Sequence, residues 1–150
     1  MYSSNCIFCK IVKGEIPSYK IYEDEKVVAF LDIKRDAYGH TLVIPKKHCT
    51  NIFDCDKDYL AAIAIAVQKI SRHYVDDCGF SGVDVLNANG VSAQQTVFHY
   101  HVHIVPRKDA DGINIWPLGG EDCSIDQQKV LQHLTMIKND LFNKNQNQFI

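Results

Sequence analysis

The chain has 150 residues, of which 46% are hydrophobic and 23% charged, and its formal net charge is −2. This mixture is typical of one globular domain with its own core, and it argues against a non-specific nucleic-acid binder, which usually carries a basic patch. No apolar run approaches the roughly 20 residues of a membrane helix, and the first residues lack the basic and apolar parts of a signal peptide. We therefore expect a cytoplasmic protein without a nucleic-acid or membrane partner.

Five short segments have the composition of β-strands. Each is rich in apolar or β-branched residues and is bounded by turn-forming residues or by proline. The segments cover residues 19–23, 27–32, 41–44, 83–86 and 97–105. The last of them has the strongest strand pattern and closes at Pro106.

Three further segments, at residues 6–12, 57–74 and 126–141, are predicted to be helices. The longest has apolar side chains at helical spacing and is followed by Gly79. The last has a plausible capping box, Ser124 with Gln127, and a core stripe that includes Val130 and Leu134. These elements predict an α+β fold with an antiparallel sheet backed by helices. We expect a single domain over residues 1–142 and a loose polar tail over 143–150.

Three histidines, His99, His101 and His103, stand at alternate positions of the last predicted strand. Successive side chains of a strand point to opposite faces, so the alternation predicts that the three rings share one face. A lone histidine is usually a hydrogen-bonded structural residue, whereas three neighbouring rings are costly when protonated and favour a functional role. The rings could bind a metal ion, or one ring could act as a nucleophile that its neighbours orient.

The residues before this strand favour a nucleophile beside an anion. Asn89 and Gly90 predict a turn, and Gln95 and Thr96 supply an amide and a hydroxyl that can donate hydrogen bonds to phosphate oxygens. Taken alone, Gln95 and Thr96 would be ordinary polar loop positions. Next to three histidines, they indicate anion binding.

The Cys6-x-x-Cys9 pair has three interpretations: half of a tetrahedral zinc site, a redox pair, or two unconnected thiols. In a reducing compartment, such a close pair is more often metal-binding or redox-active than part of a disulfide framework. The other four cysteines show no pairing pattern and are interpreted as free thiols: Cys49, Cys55, Cys78 and Cys123.

Three segments in the same order resemble the histidine triad (HIT) family of nucleotide-binding proteins. The family's mark is His-φ-His-φ-His-φ-φ, where φ is apolar, and residues 99–105 fit every position. The surrounding segment 87–107 reads NANGVSAQQTVFHYHVHIVPR. Upstream, residues 6–33 read CIFCKIVKGEIPSYKIYEDEKVVAFLDI and residues 39–48 read GHTLVIPKKH. The resemblance covers about residues 6–117 and implies the HIT fold.

The resemblance implies a covalent mechanism at the α-phosphate of a nucleotide. His101 takes the position of the nucleophile, and His103 that of the histidine that contacts the phosphate and helps the leaving group depart. Gln95 and Thr96 match a phosphate-contacting Gln-Ser pair, with Thr96 keeping the hydroxyl. Water would then hydrolyse the nucleotidyl-histidine and release a nucleoside monophosphate.

The resemblance also assigns a nucleoside pocket. Asp32 matches the carboxylate that holds the ribose hydroxyls. His40 matches another frequent histidine of the family, for which two interpretations stay open: a supporting role behind the triad, or a buried histidine with a purely structural hydrogen bond. The base pocket would be lined by the apolar side chains of Ile7, Phe8, Ile11, Ile16 and Phe30. Without the family context, those apolar residues would be interpreted as core packing.

Some branches of the family, including the related hexose-phosphate uridylyltransferases, carry a structural zinc ion. Its ligands map onto Cys6, Cys9, His48 and His99. Two thiolates and two imidazoles form a closed site of the structural kind. The resemblance therefore predicts a structural Zn²⁺ and no organic cofactor.

The chain departs from the family pattern at two positions of the phosphate loop. Gln94 stands where the family commonly has glycine, and Ala88 stands where it often has asparagine. A side chain at position 94 could crowd the loop or add a donor. Asn87 or Asn89 could replace the missing asparagine, and Asn89 is included among the substrate-binding candidates.

The leading expectation is a homodimeric nucleotidyl hydrolase or transferase that acts on a purine nucleotide, either a nucleoside phosphoramidate or a dinucleoside polyphosphate. A regulatory module that binds nucleotides with little turnover is the alternative. A metal-dependent hydrolase built on the three histidines is a third reading, against which the Gln-Thr pair and the cysteine pair both argue. Trp116 and Pro117 could cover the leaving-group side, although a packed surface aromatic is the simpler interpretation.

Overall fold

A computed structural model describes residues 3, 5–34, 37–115 and 126–136. Two compact units divide the chain at residue 113. In the first unit, the helices are α1 (Ile7–Val12) and α2 (Lys57–Asp76), and the strands are β1 (Lys20–Glu23), β2 (Val27–Leu31), β3 (Thr41–Pro45), β4 (Gly82–Leu86) and β5 (Val102–Arg107). The described part of the second unit contains helix α3 (Gln127–Met136).

The five strands form one antiparallel sheet in the order β1-β2-β3-β5-β4. The predicted α+β class and the antiparallel five-stranded sheet are thus confirmed. β5 is inserted between β3 and β4, and Leu42 of β3 pairs in register with His103 of β5. This register brings the end of the histidine segment to the middle of the sheet.

The two central strands β2 and β3 are apolar without alternation because both faces of the sheet are covered. Alternate residues contribute to two separate cores. On one face Val27, Ala29 and Val43 pack with residues of α2 such as Ile63. On the other face, the core combines residues of β2 and β3 with α1: Phe8, Ile11, Val28, Phe30, Leu42 and Ile44.

A buried hydrogen bond ties α2 to the sheet. The Thr41 hydroxyl donates to the Gly39 carbonyl at 2.9 Å and lies 2.6 Å from the Tyr74 hydroxyl, which therefore donates to Thr41. Tyr74 belongs to the last predicted turn of the helix, and α2 continues two residues further, to Asp76.

The predicted strand over 97–105 begins later than expected. β5 starts at Val102, so only His103 of the three histidines lies in a strand. The backbone N–H of Tyr100 donates to the Cys49 carbonyl at 2.8 Å, and the His99 ring donates to the Pro45 carbonyl at 2.9 Å. These contacts with the 45–49 segment replace ladder pairing. Strand alternation therefore does not set the directions of His99 and His101.

In the second unit, α3 begins where the sequence predicted, but with a different cap. The Asp126 carboxylate accepts the backbone N–H groups of Gln128 at 3.0 Å and Lys129 at 3.3 Å, as an N-cap residue does. Val130 and Leu134, expected in the core stripe, are 37% and 61% exposed. Ser124, residues 137–141 and the tail 143–150 lie outside the described residues, so the expected domain bounds and tail remain predictions.

Within the described residues, no helix has both the length and the apolar character that crossing a membrane requires. The described cysteines are all free thiols, which confirms that interpretation for Cys49, Cys55 and Cys78. Cys123 lies outside the described residues.

We expect Gly39→Ala to destabilise the protein more than Gly14→Ala. Both glycines have a left-handed φ, +80° and +76°, where alanine costs about 1 kcal/mol or more. A Cβ at Gly39 would lie 3.2 Å from Pro106 Cγ, whereas a Cβ at Gly14 meets nothing within 4 Å. Crowding at the rigid proline ring adds about 1 kcal/mol or more. Urea unfolding measures the difference, and equal losses for the two variants would contradict it.

Candidate active site

A cavity of about 320 Å³ opens between α1 and the adjacent face of the sheet. Ligand pockets in proteins usually begin at about this size. All five predicted base-pocket residues line the cavity, together with four of the predicted polar residues. The nine are Ile7, Phe8, Ile11, Ile16, Phe30, Asp32, Thr96, His101 and His103. The cavity is thus apolar at α1 and polar at the histidine segment.

His101 is held as a neutral ring with a defined tautomer. Its Nδ1 lies 2.7 Å from the His99 carbonyl, which can only accept, so Nδ1 carries the proton and Nε2 carries the lone pair. Burial lowers the pKa of the His101 imidazole below its usual value. The edge of the Phe8 ring packs against His101 with centroids 5.4 Å apart. A buried, neutral imidazole with a lone pair on Nε2 has the form that a nucleophile needs.

The carbonyl of His101 is fixed as well. The Asn87 amide donates to it at 2.7 Å, and the Asn87 side-chain oxygen accepts a hydrogen bond from the Asn89 amide. The Asn89 oxygen in turn accepts the backbone N–H of Ile52 at 2.8 Å. Asn89, a predicted substrate contact, is therefore engaged within the protein and does not line the cavity in the described part of the chain.

The predicted phosphate residues Gln95 and Thr96 are placed differently from each other. Thr96 lines the cavity. Gln95 is buried, and its amide nitrogen donates to the carbonyls of Thr50 at 2.7 Å and Val97 at 3.0 Å. Its oxygen accepts the backbone N–H of Gly90 at 2.8 Å. Through these three hydrogen bonds, the buried Gln95 side chain holds in place the loop that contains Gly90 and Val97.

His40 contacts the last histidine of the triad. Its Nε2 lies 2.9 Å from Nδ1 of His103, and its Nδ1 lies 3.8 Å from the Asp32 carboxylate. Asp32 also accepts the backbone N–H of Lys34 at 3.0 Å. His40 therefore lies between His103 and Asp32, beside the last histidine of the triad.

Four side chains from three parts of the chain converge beside the cavity: Cys6, Cys9, His48 and His99. Nδ1 of His99 lies 3.4 Å from Cys6 Sγ, 3.6 Å from Cys9 Sγ and 3.3 Å from Nδ1 of His48. Cys9 Sγ lies 3.3 Å from Nδ1 of His48. A tetrahedral zinc ion with ordinary bond lengths places its nitrogen and sulfur ligands about 3.3–3.7 Å apart. The donor set and its spacing fit a zinc ion.

The ring of His99 has the orientation and the tautomer that a zinc ligand needs. Its Nε2–H donates to the Pro45 carbonyl at 2.9 Å, which leaves the lone pair on Nδ1, among the other three donor atoms. A hydrogen bond from the second ring nitrogen is the usual way in which a ligating histidine is oriented. Burial also lowers the pKa of His99 to about 4, which keeps the ring neutral. By contrast, burial raises the pKa of the Cys9 thiol, and a bound cation would oppose that effect.

Sequence reasoning missed several residues of the site. Leu42 and Val97 line the cavity, and Asn87 fixes the carbonyl of the candidate nucleophile. The pairing of Leu42 with His103 could not be known before the strand register was known. Asn87 and Asn89 were the two candidates to replace the asparagine missing at position 88. Of these two, Asn87 is the one that donates a hydrogen bond to the His101 carbonyl.

Gln94, which stands where the family commonly has glycine, occupies a strained backbone position. Gln94 follows a short 3-10 helix, Val91–Ala93, and adopts a left-handed conformation with φ 64° and ψ 26°. We expect Gln94→Gly to raise the free energy of unfolding by about 0.5–1 kcal/mol, because glycine avoids the Cβ clash at the cost of some unfolded-state entropy. Gln94→Ala, which keeps a Cβ, is the matched control with little change. Urea unfolding measures both, and a glycine variant no more stable than the alanine variant would contradict the prediction.

Comparison with known proteins agrees with this geometry. The sequence model of the HIT domain matches residues 13–110. "Protein hit" of Bacillus subtilis is 48% identical over 122 residues, covering 80% of this chain and 84% of that protein. The adenosine 5'-monophosphoramidase HNT1 of Candida albicans is 42% identical over 125 residues, covering 79% of this chain and 82% of that protein.

Among solved structures, a zinc-bound histidine triad family protein from Mycobacterium smegmatis superposes with a TM-score of 0.71 at 34% identity, covering 91% of this chain and 96% of that one. The match of the domain model over most of the chain, and relatives well above 30% identity, agree with the motif and with the fold. This chain belongs to the histidine triad (HIT) family.

Proposed function

We propose that this protein cleaves a purine nucleotide at the α-phosphate through a covalent intermediate on His101, and so acts as a hydrolase or nucleotidyl transferase. The observation that carries the proposal is the state of His101. Its proton is committed to the His99 carbonyl and its ring lines the cavity, so the lone pair on Nε2 is the reactive atom. The relationship to a C. albicans adenosine 5'-monophosphoramidase supports the same chemistry.

The cavity suggests how a nucleoside monophosphate unit is held. The apolar end near Phe8 and Phe30 suits a purine ring, which packs well against aromatic edges. The Asp32 carboxylate would accept hydrogen bonds from the ribose hydroxyls. This arrangement directs the α-phosphate toward His101 and His103.

At the phosphate, we assign direct and indirect roles. The Thr96 hydroxyl and the His103 ring line the cavity and are the proposed donors to the phosphate oxygens. Gln95 and Asn89 are assigned an indirect role, in which they hold the loop in place, because their amide groups already form hydrogen bonds within the protein. A direct contact from Gln95 to the phosphate would first require its amide to release the Thr50 or Val97 carbonyl. Water then displaces His101 and releases the nucleoside monophosphate.

We expect His101→Ala to lower the rate of AMP release from adenosine phosphoramidate, or from diadenosine tetraphosphate, by about 1000-fold or more, because the attacking atom is lost. His73→Ala, which removes an exposed histidine of α2, is the control and should retain the rate. Chromatographic measurement of AMP under single-turnover conditions gives both rates and ranks the two substrates. Equal turnover by wild type and His101→Ala would contradict the proposal. Tight AMP binding without turnover by wild type would favour the regulatory alternative.

The second part of the proposal is a structural zinc ion held by Cys6, Cys9, His48 and His99. The donor spacing given above supports it, as does the zinc-bound relative from M. smegmatis. The ion would supply a fixed tetrahedral junction between α1 and the segment that carries His101. Because His99 faces the two cysteines, the geometry does not favour a metal ion shared by all three triad histidines, as the metal-dependent hydrolase would require.

Cys9→Ser is expected to lower the zinc content from about one ion per chain to a small fraction, since it removes a thiolate ligand. Cys78→Ser is the matched control, because Cys78 is exposed and outside the cluster. Elemental analysis by mass spectrometry after gel filtration measures the content. Equal zinc in both variants, or none in the wild type, would contradict the assignment.

We also propose a homodimer formed through α2 and the edge strand β4. Both present apolar side chains at the surface: Ile65 and Val75 of α2 and Val85 of β4 are 54%, 40% and 50% exposed. A second copy placed on a two-fold axis would cover this surface and the open edge of β4.

A further inference from the structure

A thiol, an imidazole and a carboxylate meet at the C-terminal end of α2. Sγ of Cys78 lies 3.5 Å from Nε2 of His73, and Nδ1 of His73 lies 2.7 Å from a carboxylate oxygen of Asp77. Helix α2 packs on one face of the sheet, whereas the cavity lies between α1 and the other face. These three side chains therefore form a group separate from the candidate active site.

The backbone at the end of α2 holds the group together. His73 and Asp77 are four residues apart, so their side chains are neighbours on the helix surface. The backbone N–H of Cys78 donates to the His73 carbonyl at 3.2 Å. Gly79 then ends the helix with a left-handed φ of +74°. Cys78 is thus held against the last helical turn, which carries His73.

The Asp77 carboxylate defines the tautomer of His73. An ionised carboxylate can only accept a hydrogen bond, so Nδ1 of His73 carries the proton and Nε2 presents its lone pair to the Cys78 thiol. When the thiol proton passes to Nε2, the imidazolium lies beside the Asp77 charge and at a helix C-terminus, which both favour a cation. A nucleophile, a base and a group that orients the base are the parts that activate a thiol.

The group is open to reagents from solution. The side chains of His73 and Asp77 are 61% and 65% exposed. Of the five cysteines that the structure describes, Cys78 is the exposed one, and the other four are buried or half-buried. Thiols that react selectively combine solvent access with a neighbouring group that favours the thiolate. Cys78 has both features.

We propose that Cys78 is a modification site that reacts with a low-molecular-weight disulfide to form a mixed disulfide, with His73 as the base and Asp77 as a positioning residue. Nε2 of His73 takes the thiol proton, a bond forms between Sγ of Cys78 and one sulfur of the reagent, and the bond between the two sulfurs of the reagent breaks. The departing thiolate takes the proton from His73 and leaves as a thiol. Cys78 is oxidised, the departing half of the reagent is reduced, and His73 returns to its starting state.

Oxidised glutathione is the probe for the test. The full-length protein is incubated with it at neutral pH, the reaction is quenched with acid, and peptide mapping by mass spectrometry follows the glutathionyl group on Cys78 with time. His73→Gln removes the base, and Asp77→Asn removes the carboxylate. Asp77→Glu supplies a carboxylate again from the same helical position. Arg72→Gln is the matched control, because Arg72 is an exposed neighbour on α2 that pairs with Asp76, outside the group.

We expect His73→Gln to slow the modification of Cys78 by about 10-fold, because a thiol without a base is only a few per cent thiolate at neutral pH. Asp77→Asn should slow it by about 3-fold, a small effect because solvent screens exposed charges, and Asp77→Glu should restore most of the rate. Arg72→Gln should stay within about 2-fold of wild type. Equal rates for wild type and His73→Gln would overturn the inference. A rate for Asp77→Glu no higher than that for Asp77→Asn would overturn the role of Asp77.

Discussion

His99 links the donor cluster of Cys6, Cys9 and His48 to the candidate nucleophile, His101, through its ring and its backbone carbonyl. Its ring places Nδ1 among Cys6, Cys9 and His48, while its backbone carbonyl accepts the proton of His101 Nδ1. A displacement of residue 99 would therefore disturb the donor cluster and the tautomer of His101 together. The hydrogen bond from His99 Nε2 to the Pro45 carbonyl anchors this residue to the end of β3. An irregular segment at 97–101 allows one residue to use its ring and its carbonyl in these different directions.

Helix α1 contributes to both sites despite its six residues. Phe8 and Ile11 pack onto the sheet and line the cavity, and Cys9 belongs to the donor cluster. Such a short helix has little stability of its own. Its position depends on apolar packing against β2 and β3 and, with a zinc ion bound, on the ligand bonds as well. The shape of the cavity is therefore coupled to the donor cluster through α1.

The sequence predicted most of the fold because its strands and its long helix have clear periodicity and boundaries. Asp32, Thr96 and the base-pocket residues were placed through the family motifs, and the structure brings them together around one cavity. Periodicity failed at 97–101, where hydrogen bonds to the 45–49 segment replace strand pairing. It also could not show that Gln95 turns inward, or that His40 meets His103. Those contacts depend on which loops and strands become neighbours, a long-range property that local spacing does not contain.

In the proposed mechanism, His101 becomes covalently bonded to the nucleotide. The most direct measurement is to quench the reaction with adenosine phosphoramidate during its first turnover without acid, digest the protein, and locate the AMP adduct by tandem mass spectrometry. We predict one adduct, on His101, that disappears as AMP is released. An adduct on His99 or His103, or AMP release with no adduct at any time, would contradict it.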